Sequence, residues 1–251
     1  MNVPSIILLA AAAVVAGLVN AIAGGGSLIS FPALIAAGLP ALTANVTNTV
    51  ALCPGYFGGA FAQRRDLVGQ RSRVALLLPA SAIGGLIGAL LLLWSGETAF
   101  EVIVPFLLLF AVALLAFQDR LHAFLIARER GAYRETWAVV PVGIAAVYGG
   151  YFGAALSVIV LAALVVILDD SLTRLNALKQ IVSLTVNVSA ALLFLFSGRI
   201  DWKITLIMAI AALMGGAIGG AVASRVPAKL LRWIVILAGL GLSAVYFTRL
   251  F

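Results

Sequence analysis

The first 63 residues contain no Asp, Glu, Lys or Arg. Beyond them, charge comes in short islands: Arg64–Arg73, Glu97–Glu101, Asp119–Glu135, Asp169–Lys179, Arg199–Lys203, Arg225–Arg232 and finally Arg249. The apolar runs between them are about 20 residues long, enough for a helix to cross a bilayer. With 64% hydrophobic and 10% charged residues, the chain carries more apolar surface than an aqueous fold can bury. The expectation is an all-α polytopic membrane protein, neither soluble, nor disordered, nor nucleic-acid-binding. The net charge of +7 sits between spans, where it orients them by the positive-inside rule.

Clear candidate spans are 43–63, 74–94, 99–118, 178–197, 203–223 and 230–249. The runs 4–38 and 136–168 are too long for one simple crossing, and each contains a glycine-rich stretch: Gly24-Gly25-Gly26 and Gly149-Gly150-Tyr151-Phe152-Gly153. Adjacent glycines weaken a helix, and broken backbone at membrane depth survives only against protein or a water-filled cavity. Close helix packing through small residues is the plain alternative. A break is favoured at Gly24–Gly26; at the second stretch the two readings are balanced. Met1–Ser5 lacks Lys and Arg, so Ile6–Val19 is not expected to be a cleaved signal.

The chain resembles itself. A shift of 131 residues lays Gly84-Gly85-Leu86-Ile87-Gly88 on Gly215-Gly216-Ala217-Ile218-Gly219, Asn45 on Asn176 and Asn48 on Lys179; a slip of two brings Gly24 onto Gly153. Each half reads as a glycine-broken segment plus three transmembrane helices: 1–118, an Arg-rich cytoplasmic linker 119–135, and 136–251. Internal repeats of this kind are a transporter signature. If the broken segments cross once, the repeats are parallel and 11 Lys and Arg lie inside against 5 outside. If they return as hairpins, the repeats are inverted and the split is 13 to 3. The inverted reading is favoured, with both termini outside the cytoplasmic membrane.

No charge lies deep in a span, which disfavours an enzyme or a carboxylate proton relay. His122 is the one histidine and Cys53 the one cysteine, so no metal site, disulfide or cofactor is expected. Neutral polar residues instead collect beside both breaks. Asn20, Ser27, Asn45, Thr47, Asn48 and Thr49 lie in the first half, with Ser157, Asn176, Ser183 and Asn187 near Lys179 in the second. Hydrogen-bonded glue between helices is one reading. The other is a site for a small anion. There a restarting helix offers free N–H groups at Gly24, Gly25, Gly26 and Ser27. Asn45, Thr47, Asn48, Asn176 and Asn187 add donors, and Lys179 and Arg174 add positive charge. For Arg174 and Lys179, topology alone is an equal explanation. The glycine face Gly215–Gly220 is expected to serve internal packing or a homodimer.

The segments "GLVNAIAGGGSLISFPALIAAGLP" (17–40), "ANVTN" (44–48), "YGGYFGAALSV" (148–158), "LNALKQIVSLTVNVSAALLFLFSGRIDW" (175–202) and "GGAIGGAVASRVP" (215–227) together resemble the sulfite exporter TauE/SafE family. The resemblance covers nearly the whole chain. It implies export of sulfite or a small organosulfonate by a secondary transporter, with Gly24–Gly26, Thr47, Asn48, Asn176, Lys179 and Asn187 at motif positions. Gly153-Ala154-Ala155 departs from a glycine-rich continuation, which puts a symmetric second break in question. A passive anion channel and a non-transporting membrane assembly protein are the rival readings.

Overall fold

The computed structural model describes residues 3–127, 134–223, 225 and 228–250. Part of the predicted linker, residues 128–133, and the side chain of His122 lie outside the described residues. Nine helices are described: α1 Val3–Ile22, α2 Ser27–Ala36, α3 Ala41–Ala62, α4 Arg71–Ala127, α5 Val139–Tyr151, α6 Leu156–Ile167, α7 Leu172–Phe194, α8 Trp202–Val222 and α9 Ala228–Leu250. Two short 3-10 turns, Arg64–Leu67 and Glu135–Ala138, complete the described secondary structure, and no strand occurs among the described residues.

Among the described residues, four stretches are long and apolar enough to cross a membrane: Val3–Ile22, Arg71–Gln118, Leu172–Phe194 and Trp202–Val222. The second spans 48 residues, roughly 70 Å of helix at 1.5 Å per residue, twice what a bilayer needs. Gly96, at φ 75° and ψ −179°, folds it into two arms, 71–95 and 97–127. Only glycine enters that backbone region without strain. The second arm runs on to Ala127, so the predicted linker begins as helix. Helix α3 falls outside the apolar set because it carries Asn45, Thr47, Asn48 and Thr49, all buried inside the protein.

Glycine contacts give the helix directions. Along α8, Gly215 backs onto Val14 and Gly219 onto Leu18, so α8 runs parallel to α1. Gly55 meets Ala212 and Gly58 meets Leu213 and Ala217, so α3 is parallel to both. Two parallel helices in sequence require the segment between them to run back, and α2 does so. The first arm of α4 is likewise parallel to α5: Gly84 meets Gly143 and Ala146, and Gly88 meets Val147 and Tyr151. Helix α7 is antiparallel to α3, since Asn176 reaches Gln63 while Gln180 packs on Gly59. Helix α6 is therefore the second returning segment. A Cβ on Gly215 or Gly216 would collide with the carbonyl oxygen of Val14 or Gly55. Such close approach holds apolar helices together where the hydrophobic effect between them is weak. Of the two readings of this face, internal packing is the one observed: Gly215, Gly216, Gly219 and Gly220 pack inside one chain.

The two ends of the bundle differ in charge. At one, Arg73 and Arg174 converge on Asp170, Arg73 also bridges Glu135 at 2.7 Å, and Arg174 Nη1 donates to the Val68 carbonyl at 2.9 Å. This is the Arg-rich end, which also carries Arg64 and Arg65. Burial alone would raise the Asp170 carboxyl. Hydrogen bonds from Arg174, the Ser171 N–H and Arg73 outweigh that and hold it below the usual carboxylate range. At the opposite end Glu97, next to the Gly96 fold, accepts from the Leu42 N–H at 2.9 Å and caps α3. Arg199 lies 3.7 Å from the same carboxylate.

Candidate functional site

Both broken segments form true breaks. After α1, Gly24 and Gly25 adopt φ of 84° and 88°, and the Asn20 side chain accepts from the Gly26 N–H at 2.7 Å. A Cβ on Gly26 would run into the Ala16 carbonyl, so the returning chain rests directly on α1. After α5, Gly153 takes φ 75° and Ala155 takes φ 59°. A left-handed alanine costs about 1–2 kcal/mol, so surrounding contacts must hold it. The Tyr148 hydroxyl, donating to the Ala154 carbonyl at 2.7 Å, is one of them. The alanines at 154 and 155 therefore do not remove the second break.

The two breaks face each other. A Cβ on Gly24 would lie 3.0 Å from the Ser157 Cβ and 3.3 Å from the Val158 nitrogen, at the first turn of α6. Phe31 on α2 packs edge-on against Phe152, with ring centroids 5.6 Å apart. Each break is also held by an asparagine from the other half of the chain. Asn45 Nδ2 donates to the Tyr151 carbonyl at 2.9 Å, at the end of α5. Asn176 Nδ2 donates to the Ala21 carbonyl at 3.3 Å, at the end of α1, and to Gln63 Oε1 at 2.6 Å. These carbonyls belong to final turns and lack intrahelical partners.

A buried polar layer runs between α3, α6 and α7. Ser157 Oγ lies 3.4 Å from Ser183 Oγ. The Tyr56 hydroxyl is within hydrogen-bonding reach of Ser157 and Asn187, and Asn187 Nδ2 donates to the Ser183 carbonyl at 2.8 Å. One turn before Ser183 on the same face of α7 stands Lys179. It is 1% exposed, and its Nζ has no hydrogen-bond partner among the described residues. Gln180, fully buried, leaves both amide atoms unpartnered, as Asn48 and Asn45 each leave Oδ1. A buried ammonium is costly unless a counter-charge or hydrogen bonds compensate it. This layer can therefore accept a small anion: a buried amine and the Gln180 amide nitrogen, both without partners among the described residues, and two helix starts at Ser27 and Leu156 whose dipoles favour negative charge.

The sequence-predicted residues fall into three groups. Gly24, Gly25, Gly26 and Ser27 form the first break, and Asn48, Lys179 and Asn187 lie in the buried interior. Asn45 and Asn176 brace the breaks, while Thr47 accepts from the Asp201 N–H at 3.1 Å and ties α3 to α8. Arg174 is not brought to the interior. It pairs with Asp170 at 2.9 Å at the Arg-rich end, with 34% of its side chain exposed. Sequence reasoning missed Tyr56, Gln63 and Gln180. Gln180 follows Lys179 directly, and an uncharged amide inside an apolar run was the available signal.

Comparison with known proteins bears on this arrangement. The family model described as "Sulfite exporter TauE/SafE" matches residues 9–247. The chain is 27% identical over 232 residues to the probable membrane transporter protein YfcA of Escherichia coli K12, covering 92% of this chain and 86% of the relative. It is 28% identical over 243 residues to the probable membrane transporter protein ORF9 of a Sinorhizobium species, covering 92% and 88%. A probable membrane transporter protein of Haemophilus influenzae is 27% identical over 237 residues, covering 92% and 89%. No solved structure matches.

Proposed function

Because the chain belongs to the sulfite exporter TauE/SafE family of membrane transporters, we propose that it is a secondary transporter exporting a small sulfur oxyanion, sulfite or a small organosulfonate. The Arg-rich end faces the cytoplasm across the cytoplasmic membrane by the positive-inside rule. The observation that carries the reading is Lys179: a fully buried amine with no hydrogen-bond partner among the described residues, one turn from the serine pair at the meeting point of the two breaks. A bound oxyanion supplies the missing partner. Gln180, the next residue, has an amide nitrogen without a partner among the described residues and adds a donor.

Alternating access follows from the same geometry. Each half contributes one returning pair, α1–α2 or α5–α6, followed by three membrane-crossing segments, and the glycine seams repeat with the 131-residue offset. These features support an inverted repeat, in which the halves rock around a fixed site. Asn45 and Asn176 link each half to the other's break, so rocking must break and remake these bonds.

The test is uptake into proteoliposomes, paired with thermal unfolding in sulfite, methanesulfonate, taurine and matched carboxylates. Ligand at 100 times its Kd stabilises by about 2.7 kcal/mol. Sulfite or one sulfonate should stabilise the protein and be carried, and its carboxylate analogue should not. Neither stabilisation nor transport with any of these anions would overturn the reading. A flux that cannot be driven uphill would replace the transporter by a channel.

A further inference from the structure

At the Arg-rich end a cavity of about 490 Å³ opens directly beneath the first break. Its upper wall includes Ile22, the last residue of α1, and its sides come from α3, α4, α7, α8 and α9. The lining is strongly polar for a bundle of apolar helices. Arg65 and Arg232 contribute guanidinium groups against the single carboxylate of Asp66. Arg232 is only 7% exposed. A guanidinium brought so far out of water marks a place where an anion or another acceptor is met. Gln63 and Gln118 line the same cavity at 5% exposure each, and each ends in a buried amide atom, Nε2 and Oε1 respectively, without a partner.

Asn176 closes the roof. Its amide bridges the Ala21 carbonyl and Gln63 Oε1, and Lys179 lies three residues further along the same face of α7. The Asn176–Gln63 hydrogen bond thus lies at the cavity wall, between the cavity and Lys179 along α7. Breaking it would join the two and free amide groups for whatever passes.

We infer that this cavity is a loading site for the transported oxyanion, held by Arg65, Arg232 and Gln63 before it passes Asn176 to Lys179. The inference rests on the anion-transport reading. The cavity is several times larger than a sulfonate group, so the anion is received with part of its hydration shell. Water is then lost in the step past Asn176, where Lys179 and the interior amides replace it.

The experiment uses the full chain with Cys53→Ala and a reporter Thr173→Cys, since Thr173 is exposed and lines the cavity. A membrane-impermeant maleimide is applied to inside-out vesicles in sulfate or methanesulfonate, with gluconate at equal ionic strength as reference. Both sulfur anions should slow labelling. Adding Arg232→Gln or Gln63→Leu should remove that protection. In transport, each variant should raise the half-saturating concentration from the Arg-rich side about tenfold, the loss of roughly one charge-assisted hydrogen bond, and leave the opposite side unchanged. Equal shifts from both sides, or protection that survives both variants or never occurs, would overturn the loading site. Protection without transport of any tested anion would keep the site and refute the transport reading instead. Gln63→Leu keeps the test decisive if Arg232→Gln fails to fold.

Discussion

Replacing Lys179 by Met separates a binding role from a structural one by the sign of its effect. Met nearly matches the length and volume of Lys, so the buried packing is retained. The substitution removes an amine that is 1% exposed and has no hydrogen-bond partner among the described residues. An unsatisfied buried polar group costs about 1–3 kcal/mol, and an unpaired charge costs more. Relief of that cost predicts that Lys179→Met stabilises the unliganded protein by about 1–3 kcal/mol. For a chain of this size that is roughly 2–12 °C in Tm. The same variant should lose stabilisation by sulfite or sulfonate, and transport should fall to background. Tm of the detergent-purified protein, with and without anion, reads both effects. A Tm that drops by a similar amount would mean that Lys179 has a structural partner. Retained anion stabilisation would refute the counter-charge argument.

Three further outcomes follow from the packing. Asn45→Ala and Asn176→Ala should each destabilise by about 1 kcal/mol, the usual worth of an interhelical side-chain bond in a membrane protein. The bonds lie on different breaks, so chemical denaturation of the double variant should show additive losses within about 0.5 kcal/mol. Gly216→Ala places a methyl against the Gly55 carbonyl and should cost about 1–3 kcal/mol, while Gly241→Ala, which meets open space, should change Tm little. Asp170 is held below its ordinary pKa, so its stabilising contribution is full above that ordinary value and is lost as the pH falls through the depressed one. Asp170→Asn should therefore be less stable than the parent near neutrality, and the gap should close on acidification below about pH 4.

Much of the site was legible in the chain, though not the roles within it. The unpaired buried state of Lys179 could not be read, because Arg174 and Lys179 carry the same charge five residues apart on one helix. Arg174 finds Asp170 in the preceding link, whereas nothing described reaches the Lys179 Nζ. Asn45 and Asn176 were grouped with Asn48 as anion donors, yet the first two spend their amides on carbonyls 106 and 155 residues away. The second break was equally hidden, since alanine does not announce a left-handed backbone.

The sequence by itself determined the solvent, the lengths of the crossing helices and the position of the first break. Those depend on local quantities: apolar content over about 20 residues against bilayer thickness, and the freedom of consecutive glycines. The tertiary structure decided that both broken segments turn back and that the breaks face one another. It also decided that the glycine face of α8 is spent inside the chain, and which polar groups keep a partner. These depend on contacts between elements more than a hundred residues apart. A buried charge or amide becomes a site only where those distant elements leave it unpaired.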